Sequence, residues 1–279
     1  MAQQATPKIL VVEDSALNQK VILKQLRNLG CQADIAVNGQ AALAMLAETN
    51  YDIVLMDCQM PVLNGYDATR EIRRLEGQDQ HTVVIAMTAS ATEADQEKCA
   101  KAGMDGYLNK SVTETELVTL FRRWCPIMFA ADEAISPIPG EQTSSISTHT
   151  AASPSVEPLE SIVALTRLNH ITRGNVALQI EVLQAFIEDV QADLTATKKA
   201  ILTQDLVTIQ HRAHQIKGAS ANVGVSSMQA IAGQLEHQTR QGLLEGATGL
   251  VVEIEAALER VQSFLSESNV NNLLPWPKF

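Results

Sequence analysis

YDIVLMD, residues 51–57, decides the fold of the first half of this chain. Its centre is an unbroken apolar run, and the run ends on a carboxylate. A strand with one face in water alternates apolar and polar residues. An unbroken run belongs to a strand buried on both faces, as in a parallel sheet covered by helices on either side. Four other short apolar runs accompany it, KILVVE (8–13), QADIAV (32–37), TVVIAMT (82–88) and DGYLNK (105–110), of which KILVVE has the same continuous apolar centre, ILVV. Segments with helical spacing lie between them, such as Val21, Leu23, Leu26 and Leu29, or Ala41, Leu43, Met45 and Leu46. Five strands alternating with helices predict a doubly wound α/β domain over residues 1–125.

The texture then changes. Residues 126–158 hold five of the nine prolines and are rich in Ser and Thr. This composition predicts a disordered linker, with a reach on the order of 30 Å for some thirty residues. The competing reading is an ordered clamp between domains. From Leu159 onward no proline occurs until Pro275, and helical patterns dominate: 176–202, 206–223, 226–241 and 247–265, with a shorter helix near 159–168. These predict an up-and-down four-helix bundle over residues 159–268, followed by a tail, 269–279. In that tail Trp276 and Phe279 are expected to cap the bundle, fray, or dock a partner.

The bulk numbers exclude several classes. The 279 residues suffice for about two domains. With 21 basic and 32 acidic residues the net charge is −11, which leaves no basic surplus for phosphate backbones and argues against a nucleic-acid partner. Cys31, Cys58, Cys99 and Cys125 form no CxxC pair, so neither a zinc site nor a disulfide framework is expected. MAQQATPK lacks the apolar core of a signal peptide, and no run is long enough to span a bilayer, so direct membrane insertion is not expected and a cytoplasmic location is.

Polar residues interrupt the strand pattern at one end of each strand. Glu13 and Asp14 follow the first, Asp57 ends the third, Thr88 ends the fourth, and Lys110 follows the fifth. In an open α/β sheet, ligands bind outside the carboxyl ends of the strands. Any one of these residues could simply cap its strand, but together they predict a site. Three close carboxylates repel and raise a pKa unless a cation is present; a hard divalent ion, Mg²⁺, satisfies them. One carboxylate can then attack a phosphoryl group, while metal, lysine and a hydroxyl offset the transferred charge.

With VVEDSALNQKV, MDCQMPVLNGYDAT, AMTASA and GYLNKS in this order, residues 8–125 resemble a response-regulator receiver domain. That resemblance implies a flavodoxin-like fold. It implies Asp57 as phospho-acceptor, with Glu13, Asp14, Asp57 and the backbone carbonyl of Gln59 holding Mg²⁺. It further implies Lys110 beside the phosphoryl group, Thr88 and Tyr107 as a conformational switch, and Gln59 and Ser90 as residues that tune hydrolysis. Ser111 departs from the family's usual proline after the lysine, which puts the placement of Lys110 in question, because a non-proline cis bond costs about 2.5–4 kcal/mol. Cys58 reads as packing. The DCQ sequence lacks the second aspartate of the Asp-x-Asp phosphatases.

AHQIKGASANVG, residues 213–224, marks the second half. Leu206, Ile209, Ala213, Ile216 and Ser220/Val223 form a core stripe, and His214 lies roughly 120° from its middle. The expectation is therefore an exposed or edge histidine; a merely solvated histidine is the plainer reading and fits His211. Lys217 and Gly218, at i+3 and i+4, share the surface of His214. The lysine supplies charge for a phosphoryl group. The glycine, which costs a helix roughly 0.5–1 kcal/mol, lets another protein reach the imidazole. This half resembles a histidine-phosphotransfer domain. The resemblance implies His214 as phospho-acceptor, with Lys217 and Gly218 shaping its surroundings and Gly224 in the turn that ends the helix. His170, His211 and His237 match no acceptor position.

Together the two resemblances imply a two-component phosphorelay protein. Its partners would be a histidine kinase or hybrid kinase and other receiver domains. It would not generate phosphoryl groups itself, since neither a Walker glycine loop nor a kinase ATPase-like segment is found. The alternatives are a phosphorylation-gated binding switch whose second domain serves a separate pathway, and a phosphate sink.

Overall fold

The computed structural model describes residues 7–77, 81–89, 92–125 and 163–271. The first half runs β1 (Ile9–Val12), α1 (Ala16–Asn28), β2 (Ala33–Ala36), α2 (Gly39–Glu48), β3 (Ile53–Asp57), α3 (Gly65–Leu75), β4 (Val83–Thr88), α4 (Glu93–Ala102), β5 (Gly106–Asn109) and α5 (Glu114–Trp124). The strands form one parallel sheet in the order β2-β1-β3-β4-β5. Strand order reverses at β1, between β2 and β3, and the crevice there opens beyond the strands' carboxyl ends.

Alternation along each strand explains the unbroken apolar runs. Leu10, Val12, Val54, Met56, Val84 and Ala86 pack with Ala42, Ala68, Ile72 and Cys99 of α2, α3 and α4. Ile9, Val11, Ile53, Leu55, Ile85 and Met87 pack with Ile22, Leu26, Leu117 and Phe121 of α1 and α5. Each helix start is set by a local signal. Ser15, Asn38, Asn64 and Thr92 accept from backbone N–H groups of the first turns, and Thr113 forms a capping box with Glu116.

The second half is helical: α6 (Leu165–Thr172), α7 (Val176–Leu202), α8 (Leu206–Val223), α9 (Ser226–Arg240) and α10 (Ala247–Asn271). Helices α7 to α10 form a closed ring of neighbours joined by short turns, and α6 lies against α7 and α8. Gly224 ends α8 in the left-handed region, at φ 86°. The predicted linker, 126–158, lies outside the described residues, as do Ser90, Trp276 and Phe279. Among the described residues no helix is long and apolar enough to cross a membrane.

Helix α1 joins the two halves. Ile22 and Leu26 face the sheet, whereas Leu17 and Val21 belong to the core of the bundle, with Ile171, Phe186, Ile209 and Ile216. Four residues separate the members of each pair, so each pair forms its own stripe. Leu17 and Val21 are 1% and 2% exposed. Replacing Leu17 by Asp should therefore part the domains, since it exchanges about 1.5–3 kcal/mol of apolar burial for a buried charge. Small-angle scattering should show a larger radius of gyration with unchanged helical circular dichroism; an unchanged radius would show that this contact does not hold the halves together.

Candidate functional site

The parallel register brings the expected acids together. Glu13 follows β1 and Asp57 ends β3, and both side chains are fully buried. Glu13, Asp14 and Asp57 each offer a carboxylate oxygen, and these oxygens lie within 4.8 Å of one another. Lys110, just beyond β5, donates from Nζ to Asp57 Oδ2 at 2.7 Å and lies 3.1 Å from Glu13 Oε2. Its backbone N–H bonds the carbonyl of Thr88 at 2.7 Å. Ser111 does not divert this lysine: its N–H and hydroxyl both donate to Asn109 Oδ1, and no cis peptide bond occurs among the described residues. Gln59 donates its backbone N–H to Asp57 Oδ1 at 3.1 Å.

Gly65 is a functional residue that the sequence reading passed over. A Cβ there would sit 2.1 Å from the carbonyl oxygen of Asp57, so only glycine lets α3 start this close to the acid. Thr88 is buried at the end of β4. Tyr107, opposite Ala86 on β5, is 44% exposed and lines an outer groove with Cys99, Met104 and Trp124. Cys58 is buried, with its sulfur 4.0 Å from that of Cys99.

Burial, with the neighbouring Glu13 and Asp14 charges, drives the Asp57 pKa well above the usual carboxylate range, against the opposing pull of Lys110. Lys110 is held above its ordinary value by Asp57 and Glu13, which outweigh its burial. Three clustered carboxylates with this strain suit a hard divalent cation.

The expectation of an exposed or edge His214 is corrected. The residue is 3% exposed. It does not lie in the bundle core; α8 carries a second buried face, and the sheet domain covers it. His214 Nε2 lies 4.0 Å from Asp57 Oδ1, and Nδ1 lies 3.1 Å from Glu236 Oε1. A carboxylate only accepts, so Nδ1 carries the proton and Nε2 presents its lone pair. Buried Nε2 has no hydrogen-bond partner. Burial lowers the His214 pKa below its ordinary 6.5; Glu236 opposes that shift, and the Lys110 and Lys217 charges add to it.

Glu236, on α9, is the principal residue that sequence reasoning missed. It also receives Lys217 Nζ at 3.2 Å, Arg240 Nη2 at 2.7 Å and Gln59 Nε2 at 3.2 Å. Burial alone would raise its pKa, but these cations and His214 bring it down to about 2. Lys217 is thus paired with Glu236 rather than standing alone beside the imidazole. Gly218 faces the chain's own other domain: a Cβ there would lie 3.4 Å from Lys110 Cδ and 3.6 Å from Asn18 Nδ2. His211 is not merely solvated, because its Nε2 is 3.3 Å from Asp14 Oδ2. Gln215 donates to Asp14 at 2.6 Å, and Asn222 donates to Asn18 at 2.8 Å. No spacing rule pairs these residues, which lie about two hundred positions apart in the chain.

Comparison with known proteins identifies both halves of the chain. A family model described as "Response regulator receiver domain" matches residues 9–122, and one described as "Hpt domain" matches residues 181–264. The chain joins a receiver domain to an Hpt domain. Over 268 residues it is 31% identical to the virulence sensor protein BvgS of Bordetella parapertussis, covering 91% of this chain and 21% of that protein. It is 29% identical to the aerobic respiration control sensor protein ArcB of Escherichia coli, covering 82% and 27%. The chain therefore spans only about a fifth to a quarter of the length of these relatives.

Among solved structures, the receiver domain of sensor histidine kinase PA1611 from Pseudomonas aeruginosa, with a magnesium ion coordinated in its active site cleft, is 43% identical. The match covers 43% of this chain and 98% of that one, with a TM-score of 0.40. The Saccharomyces cerevisiae complex of the histidine phosphotransfer signaling protein Ypd1 with the receiver domain of Ssk1 matches at 29% identity, over 46% of this chain and 94% of that one, with a TM-score of 0.41.

The His214–Glu236 pair gives a signed prediction. Docking lowers the pKa of a base, so it favours the closed form above pH 6.5 and loses that contribution as pH falls below it. NMR titration should show His214 protonating below 6.5. Glu236→Gln should lower that midpoint further, because the removed charge was holding it up. A midpoint above 6.5, or an upward move in the variant, would refute the assignment.

Proposed function

We propose that the chain carries phosphoryl groups between Asp57 of its receiver domain and His214 of its Hpt domain, within one molecule. The observation that supports this most is the 4.0 Å gap between Asp57 Oδ1 and the unpartnered His214 Nε2. A phosphoryl on the Asp57 oxygen lies within reach of that nitrogen without domain movement.

The Nε2 lone pair forms the N–P bond as the bond from phosphorus to the Asp57 oxygen breaks, and the carboxylate keeps that electron pair. The imidazole, still protonated at Nδ1, becomes cationic, and Glu236 stabilises it there. Lys110 neutralises the returning carboxylate. Lys217, lining the same crevice as His214, offsets the moving charge. Glu13, Asp14, Asp57 and the Gln59 carbonyl would hold Mg²⁺, which supplies charge neutralisation at the phosphoryl oxygens. Thr88 would bind a phosphoryl oxygen, and Tyr107 would report the state of the site at the outer groove. A histidine or hybrid kinase would supply the group and other receivers would take it. The four free, buried cysteines suit a reducing cytoplasm.

Labelled acetyl phosphate with Mg²⁺ tests the reading. Acid- and base-labile label should appear on Asp57 and base-stable label on His214. Asp57→Asn should abolish both, and His214→Gln only the second. Label that reaches His214 undiminished in Asp57→Asn would overturn the internal relay.

Gly218 gives a steric test. Alanine fits at ordinary contact distance, so Gly218→Ala should transfer at close to the natural rate, whereas Gly218→Leu should displace Lys110 and slow transfer at least tenfold. Equal rates in both would show that this approach is not required.

A further inference from the structure

The contacts around Asp57 do little to select a partner. Asp14 and Gln59 belong to the acid site, and any receiver that performs this chemistry must present comparable groups. Discrimination needs residues that touch the other domain and take no part in the reaction. The structure places such a group at the far end of α1.

There, Arg173 Nη2 donates to the backbone carbonyl of Asn28 at 2.9 Å and to Glu114 Oε2 at 3.2 Å. Asn28 Nδ2 donates to Glu114 Oε1 at 2.6 Å and reaches the Ile171 carbonyl at 3.5 Å. One guanidinium thus meets the last carbonyl of α1, where the helix dipole is negative, and a carboxylate in the first turn of α5. Arg173 and Ile171 lie outside residues 181–264, the span matched as an Hpt domain.

The backbone supplies a second observation. Arg173 caps α6 at φ 51°, a left-handed conformation that glycine or asparagine adopts more readily. The chain keeps a long cationic side chain where the backbone alone would favour a small residue. Such a position calls for a use of the side chain, and the clasp on Asn28 and Glu114 provides one.

We infer that Arg173, through Asn28 and Glu114, is a specificity-determining residue of the relay: it selects the receiver whose α1 end and α5 start complement it, and so seats Asp57 opposite His214. The inference rests on the internal relay proposed above. Arg173 is a positioning residue and touches no reacting atom.

A charge-swap series in the full chain tests it, with labelled acetyl phosphate and Mg²⁺ and the rate of base-stable label at His214 as readout. Arg173→Glu sets two carboxylates against each other, and Glu114→Arg two guanidinium groups. Each mismatch should slow transfer roughly tenfold while acid-labile label on Asp57 forms at the natural rate. The doubly swapped chain restores opposite charges at 114 and 173 but not the bonds to Asn28, so it should recover part of the loss and transfer at least about threefold faster than either single variant.

A general structural role would not produce that recovery. Single variants that transfer at the natural rate, or a double variant as slow as the singles, would overturn the inference and leave the relay standing. A natural chain that labels Asp57 but never His214 would instead overturn the relay itself.

Discussion

The ammonium group of Lys110 sustains the arrangement at the junction of the two domains. It lies against two carboxylates, Asp57 and Glu13, that are almost wholly removed from water. A buried carboxylate without a partner costs several kcal/mol or takes up a proton. The lysine opposes the rise that burial imposes on the Asp57 pKa, and Gly218 gives its stem the room to lie there. Glu236 plays the corresponding part across the gap. It gathers His214, Lys217, Arg240 and Gln59 around one carboxylate and fixes which imidazole nitrogen carries the proton. Two charge-compensated clusters thus face each other, with His214 Nε2 buried between them and without a hydrogen-bond partner.

Much of this was legible in the sequence because it is local. The unbroken runs at 9–12, 53–56 and 83–87 specify strands buried on both sides, the edge strands at 33–36 and 106–109 are only partly buried, and parallel pairing places the residues after each strand at one edge. Asp57, Glu13, Asp14 and Lys110 therefore converge for reasons visible in the chain. The bundle was legible through its helical spacing, and the turns after Leu202 and Val223 through their composition.

What was not legible depends on contact between distant segments. The periodicity of α8 gives one apolar stripe correctly and implies an exposed opposite face. That face is built of His214, Gly218 and Asn222, small or polar residues, and nothing in their spacing distinguishes a surface for solvent from one for a neighbouring domain. Glu236 and His211 fell into the same gap. Each reads as an ordinary polar residue until tertiary structure brings its partner close.

Helix α1 shows what such sharing means for the chain's history. Of its thirteen residues only Ala16, Lys20 and Arg27 are exposed, a narrow strip along one side. Of the buried apolar positions, Ile22 and Leu26 serve the sheet's interior on one flank, and Leu17 and Val21 the bundle's on the other. A substitution in this helix is therefore judged by two interiors at once, and one that suits the sheet can be rejected by the bundle. Leu17 and Val21 of the receiver are in this sense also residues of its companion, and neither half is free to drift while the other stands still.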